Sequence, residues 1–143
     1  MLLLIQIQAI LHILSRILLN LGNKNLLTLV LRQVQVKAIN ADSWQFDIRK
    51  FLNVVLERGE QKVLGINEDL DKSIICVFVA LGDIIGKDEF YIFRWGWLQK
   101  YFLDTYIGRK PPKNIKSFHC AIWKKEMYKH LDKWHIIKRK FKV

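Results

Sequence analysis

The sequence predicts an α/β chain of the α+β kind: an N-terminal helix, then a central mixed sheet of about five strands flanked by helices. Three observations support this. Apolar residues recur at spacings of three and four over the first 21 positions, short strand-type runs bounded by turn signals fill the middle, and helical spacing returns after residue 96. With 143 residues, 51% hydrophobic content, 5 Trp, 4 Tyr and 8 Phe, the chain can bury one core and is too short for two ordinary domains. Residues 1–143 therefore read as a single domain.

Leu3, Ile7, Ile10, Leu14, Ile17 and Leu21 share one helical face, and Gly22 with Asn23 ends the helix. Gln6, Gln8, His12, Ser15 and Arg16 interrupt the apolar run, whereas a membrane-spanning helix needs about 20 predominantly apolar residues. No basic residues precede the run and no small-residue cleavage site follows it, so it is not read as a signal peptide. No stable membrane insertion is expected. Residues 26–30 and 32–39 read as strands; in the second, Val34, Val36 and Ala38 share one face, and Gln33, Gln35 and Lys37 the other. Segment 44–57 is open between a helix and an extended excursion. Residues 58–60 and 67–72 are polar connections, and a central strand at 73–81 pairs with 89–95 as a hairpin across 82–88. Leu98, Tyr101, Phe102 and Tyr106 place a helix over 97–106 that packs on the sheet. Residues 108–116, with both prolines, form a basic surface loop before a strand at 117–123. A last helix at 124–134 buries Met127, Leu131 and Trp134, and 138–143 is a frayed basic tail.

The formal net charge of +11 is unevenly placed: residues 109–143 hold twelve Lys or Arg against Glu126 and Asp132, a net +10. Such a concentration attracts polyanions, either nucleic acid or an anionic membrane surface, and makes acidic small molecules a less economical explanation. Arg109, Lys110, Lys113, Lys116, Lys138, Arg139 and Lys140 are the candidate nucleic-acid contacts, with a solvated basic face as the plain alternative. Cys76 and Cys120 each sit in an apolar run and read as reduced core residues of an intracellular, cytoplasmic protein. His119 and Cys120 are adjacent on a strand, point to opposite faces and cannot pair as base and nucleophile. His12, His119, His130 and His135 form neither H-x-H nor HExxH, so no zinc is expected. Trp95, Trp97, Trp123 and Trp134 could stack on bases, although such residues more often fill cores. Asp88 and Glu89 read as solvated turn acids.

Gln35-Val36-Lys37, Ser43-Trp44-Gln45-Phe46, Asp88-Glu89-Phe90-Tyr91-Ile92 and Ser117-Phe118-His119-Cys120-Ala121-Ile122 lie within residues 32–137, about three quarters of the chain. In these pieces the sequence resembles small uncharacterised bacterial members of the PD-(D/E)XK, or restriction-endonuclease-like, nuclease superfamily. Its order of helix, strands with an x-Lys motif, hairpin, helix and strand is also similar. The resemblance implies a restriction-endonuclease-like fold, a metal-dependent nuclease domain acting on or binding DNA, and Mg²⁺ as cofactor. It further implies Gln35 as a metal ligand and Lys37 as the residue that stabilises charge or orients water. A divalent ion shared by carboxylates and a phosphate oxygen would lower the pKa of water and stabilise the transition state.

The acid of the preceding strand would fall near 25–28, where Asn25, Leu26, Leu27 and Thr28 supply none, and Asp42 is the first acidic residue of the chain. Mg²⁺ dehydrates reluctantly without local negative charge. The Leu/Ile-rich, acid-free segment 1–30 fits an N-terminal part lost or replaced, through a frameshift or a wrong start. The expectation is a degenerate or truncated nuclease-like domain. The alternative is a non-catalytic nucleic-acid-binding protein that uses the basic C-terminal third, with DNA as the favoured nucleic acid and a homodimer as an option.

Overall fold

A computed structural model describes residues 34–107 and 117–139. The expected N-terminal helix, the strand at 26–30 and the basic loop at 108–116 lie outside the described residues. Within them the chain is α+β: β1 (Val34–Ile39), β2 (Ser43–Asp47), β3 (Leu52–Glu57), β4 (Glu60–Ile66), β5 (Ile75–Ala80), β6 (Glu89–Arg94), α1 (Trp95–Ile107), β7 (His119–Trp123), α2 (Lys124–Met127) and α3 (His135–Arg139). Two 3-10 turns, Ile48–Lys50 and Tyr128–His130, complete the order.

Every residue of β5 is buried, which its unbroken apolar sequence anticipates for a strand covered on both faces. It runs between β1, which pairs with it in parallel, and β6, which pairs antiparallel as the expected hairpin partner. A parallel neighbour requires a crossover. Here β2, β3 and β4 supply it. The segment left open at 44–57 is extended: β2 pairs with β7, and β3 pairs with β4. The β3–β4 loop is tight, with Arg58 (φ 52°) and Gly59 (φ 82°) both left-handed, as a type I′ turn demands. The expected strand at 26–30 lies outside the described residues, so a sheet of about five strands is not confirmed; among the described residues the central sheet has three strands and the other four form two separate pairs. The physical reason is turn chemistry: β3 and β4 satisfy each other locally, and β2 finds its partner in β7.

Side chains alternate cleanly across the three-stranded sheet. Cys76, Phe78, Ala80, Tyr91 and Phe93 face a core shared with Trp44, Phe51, Leu98 and Phe102. Ile75, Val77, Val79, Phe90 and Ile92 face a smaller cluster closed by Ile137, with Val34, Ala38 and Trp134 at its margin. Helix α1 starts directly from β6, and this junction is tight. Gly96 donates its N–H to the Lys72 carbonyl at 2.9 Å, and a Cβ there would lie 2.8 Å from the Lys72 Cβ.

The single helix expected over 124–134 is broken. Met127 is fully buried, but the chain then tightens into a 3-10 turn, Leu131 bridges to Tyr91, and Asp132 donates its N–H to the Phe90 carbonyl from a left-handed conformation (φ 53°). The outer edge of β6 offers unpaired backbone groups, and bonding them outweighs continuing the helix. Leu131 accordingly stays 36% exposed, and Trp134 packs against Phe90 with ring centroids 5.5 Å apart. Glu89 is also more than a solvated turn acid. It accepts the hydroxyl of buried Tyr91 at 2.5 Å and pairs with Lys124 at 3.0 Å. The Tyr91 hydrogen bond, more than the Lys124 charge, holds its carboxyl below the usual range. No helix among the described residues is long and apolar enough to cross a membrane.

Candidate functional site

Period two places Gln35 opposite Cys76 and Lys37 opposite Phe78, on the aromatic side of the sheet. Among the described residues β1 is the edge strand of this sheet. The Lys37 Nζ donates to the backbone carbonyl of Gln45 at 2.8 Å and lies 3.9 Å from the Phe46 ring centroid. Trp44 returns the link, its Nε1 donating to the Lys37 carbonyl at 3.2 Å. Lys37 is thereby held by β2 through one donor and a ring face, with further N–H donors left over. Burial lowers its pKa, and nearby Lys50 lowers it further.

Lys50 arrives from the 3-10 turn, whose geometry its neighbours dictate. The Asp47 carboxylate caps the turn by accepting the Arg49 N–H at 2.9 Å and the Arg49 guanidinium at 2.5 Å. The Arg49 hydrogen bond holds the Asp47 carboxyl low. Ile48 and Phe51 on either side are fully buried, which leaves Arg49 and Lys50 exposed. Asn67 ties the turn down: its Nδ2 donates to the Arg49 carbonyl at 2.9 Å, its Oδ1 accepts the Asp69 N–H at 2.9 Å, and its carbonyl accepts from Gln99 at 2.6 Å.

These pieces surround an open cavity of about 340 Å³ lined by Gln35, Lys37, Lys50, Asn67 and Asp69, with Val36, Leu70 and Trp95 among its apolar residues. The structure thus brings both motif residues, Gln35 and Lys37, into one concave site. Lys50, Asn67 and Asp69 were not singled out from the sequence. The only signal for them was the turn chemistry of Asn67-Glu68-Asp69, which reads as a connection and not as a site. Of the seven candidate nucleic-acid contacts, Arg109, Lys110, Lys113, Lys116 and Lys140 lie outside the described residues, as do the side chains of Lys138 and Arg139.

The donor set does not fit Mg²⁺. All 13 acidic residues of the chain are in the described segments, and among the described residues no three His, Cys, Asp or Glu side chains come together. The cavity offers one carboxylate, Asp69, and the neutral amide of Gln35, against the ammonium groups of Lys37 and Lys50. A dication there would meet a net positive wall, whereas Mg²⁺ sites rely on hard anionic oxygens.

The other candidates separate from this cavity. Cys76 and Cys120 are buried and not disulfide-bonded, and burial pushes the Cys76 thiol up to about 12, so it is no nucleophile at neutral pH. His119 is exposed while Cys120 is buried, as strand alternation requires, and the His119 ring contacts the Gln45 side chain. Trp134 is a packing residue, whereas Trp95 stacks on Phe51 and also lines the cavity. Trp97 lies between Tyr101 and His130 with Lys129 over its ring, and only Trp123, 50% exposed, has a largely open surface. No family model matches the chain, and no curated protein or solved structure matches it.

Proposed function

We propose that this chain is a PD-(D/E)XK-like domain that binds nucleic acid, with DNA as the partner, and does not hydrolyse it. The observation that carries the reading is the cavity itself: two lysines meet there with one carboxylate, a balance that attracts a phosphate diester and repels a catalytic dication. Lys37, the residue that the family resemblance assigns to charge stabilisation, keeps free donors for a phosphate oxygen after its bond to Gln45. The rest of the charge favours the same partner. The described segments hold 15 Lys or Arg against 13 acids, net +2, so nine of the eleven excess positive charges fall in residues 1–33, 108–116 and 140–143. A basic sequence of this kind adds non-specific phosphate contacts around a specific site.

Two measurements on the full chain test this. If about six phosphates are neutralised, log K for labelled DNA falls against log salt with a slope of about −5; a flat response overturns the reading. Supercoiled plasmid incubated with Mg²⁺ or Mn²⁺ stays intact. Cleavage that disappears in a Lys37→Ala control would make the domain a working nuclease instead.

A further inference from the structure

Charge alone explains a phosphate at Lys37 and Lys50, but the cavity has more surface than a phosphate uses. Its volume of about 340 Å³ lies at the low end of the roughly 300–1,000 Å³ typical of small-molecule sites. That space suits one nucleotide and is too small for a base pair still stacked in a duplex. Half-buried Leu70 forms an apolar wall with Phe46, Phe78 and Trp95. A phosphate has no use for such a wall, whereas an unstacked base needs one. Gln35 and Asp69 line the same space. An amide and a carboxylate together can read the donors and acceptors of a base edge or a ribose hydroxyl. Trp95 adds an indole N–H that is buried and unpartnered among the described residues.

We propose that the cavity takes a single unpaired nucleotide, its phosphate between Lys37 and Lys50, its base against Leu70 and the aromatic side chains Phe46 and Trp95, and its polar edge toward Gln35 and Asp69. Nucleic acid would then engage this face as a single strand. The inference rests on the nucleic-acid reading above and deepens it.

Fluorescence anisotropy of the full chain at one salt concentration tests it with a labelled single strand, a hairpin duplex of the same sequence and the same strand made abasic. The intact single strand binds about tenfold more tightly than either of the others, the range expected when one base finds a stacking surface. Lys50→Ala, at an exposed position, weakens the intact and the abasic single strand by a similar factor without moving the thermal unfolding midpoint, as loss of a phosphate contact requires; unchanged affinity for both strands overturns the placement of the phosphate. A nucleoside monophosphate displaces the strand and inorganic phosphate at the same concentration does not, which locates recognition in the nucleotide unit whether free or within a chain. Equal affinity for intact and abasic strands, tighter binding of the duplex, or equal displacement by inorganic phosphate overturns the proposal. Absence of binding in every arm, the duplex included, would instead overturn the nucleic-acid reading on which it rests.

Discussion

On one face of the β1–β5–β6 sheet, Phe78, Tyr91 and Phe93 meet Trp44, Phe51 and Phe102; on the other, Ile75, Val77, Val79 and Ile92 meet Ile137. The same three strands build both faces, yet they differ in what they leave unfilled. The aliphatic face closes mainly with branched side chains that tile a pleated surface, and its rings, Phe90 and Trp134, meet at the outer edge of β6. The aromatic face is held by rings in stacked and edge-on contact, with centroids between 4.6 and 6.2 Å apart for Phe51, Phe46 and Phe102. Large flat groups leave gaps at their margins and bring polar atoms inward: the Tyr91 hydroxyl, the Trp44 and Trp95 indole N–H groups, and the ring of His130. The cavity opens at such a margin, where β1 turns Gln35 and Lys37 toward the rings. The cavity thus lies on the face built from rings.

The largest test of this contrast is Trp44→Ala. Its ring is fully buried against Phe78 at 5.2 Å and Tyr91 at 5.5 Å, and its loss also frees the Lys37 carbonyl. The expected cost is about 3–5 kcal/mol in urea unfolding. A loss below about 1 kcal/mol would mean that the aromatic face collapses freely around missing volume.

Acid should act on the aromatic face alone. His130 packs 4.1 Å from Trp97 and 5.3 Å from Phe93, with its Nε2 buried and unpartnered among the described residues. Burial first, then the charges of Lys129 and Lys133, push its pKa down from 6.5 to about 4. The unfolded chain therefore takes up the proton first as pH falls. Stability is full above pH 6.5, declines between 6.5 and about 4, and the decline is absent in His130→Phe. Its slope stays below the full linkage value of about 1.4 kcal/mol per pH unit, because the ring is only half-buried. Unfolding midpoints of parent and variant across that window check it; identical slopes would assign the acid sensitivity to another group.

The smallest effect belongs to the aliphatic face. Ile92→Val, at a fully buried position, should cost about 0.5–1.5 kcal/mol, by the same amount at neutral and mildly acidic pH. A cost that changes with pH would show the two faces to be coupled through the sheet.

Local patterns were enough to anticipate much of this molecule. The unbroken apolar run of β5, its hairpin with β6, the helical spacing of Leu98, Phe102 and Tyr106, the strand after Ser117 and the alternation that puts Gln35 beside Lys37 are all period-two or period-3.6 signals carried by neighbouring residues. The pairing of β2 with β7, and the break that Asp132 and Leu131 make at the edge of β6, were not legible, because each depends on backbone partners distant in the chain. The same holds for the site. Two of its residues, Gln35 and Lys37, belong to one short motif, and the absence of any acid before Asp42 is plain in the sequence. The sequence by itself therefore determined the types of β1, β5, β6, α1 and β7, the basic charge and the missing carboxylate, since these are properties of composition and spacing. Only the tertiary structure decided that Lys50, Asn67 and Asp69 complete a cavity around Lys37, because a 3-10 turn capped by Asp47 and a loop held by Asn67 meet there through hydrogen bonds that no local pattern encodes.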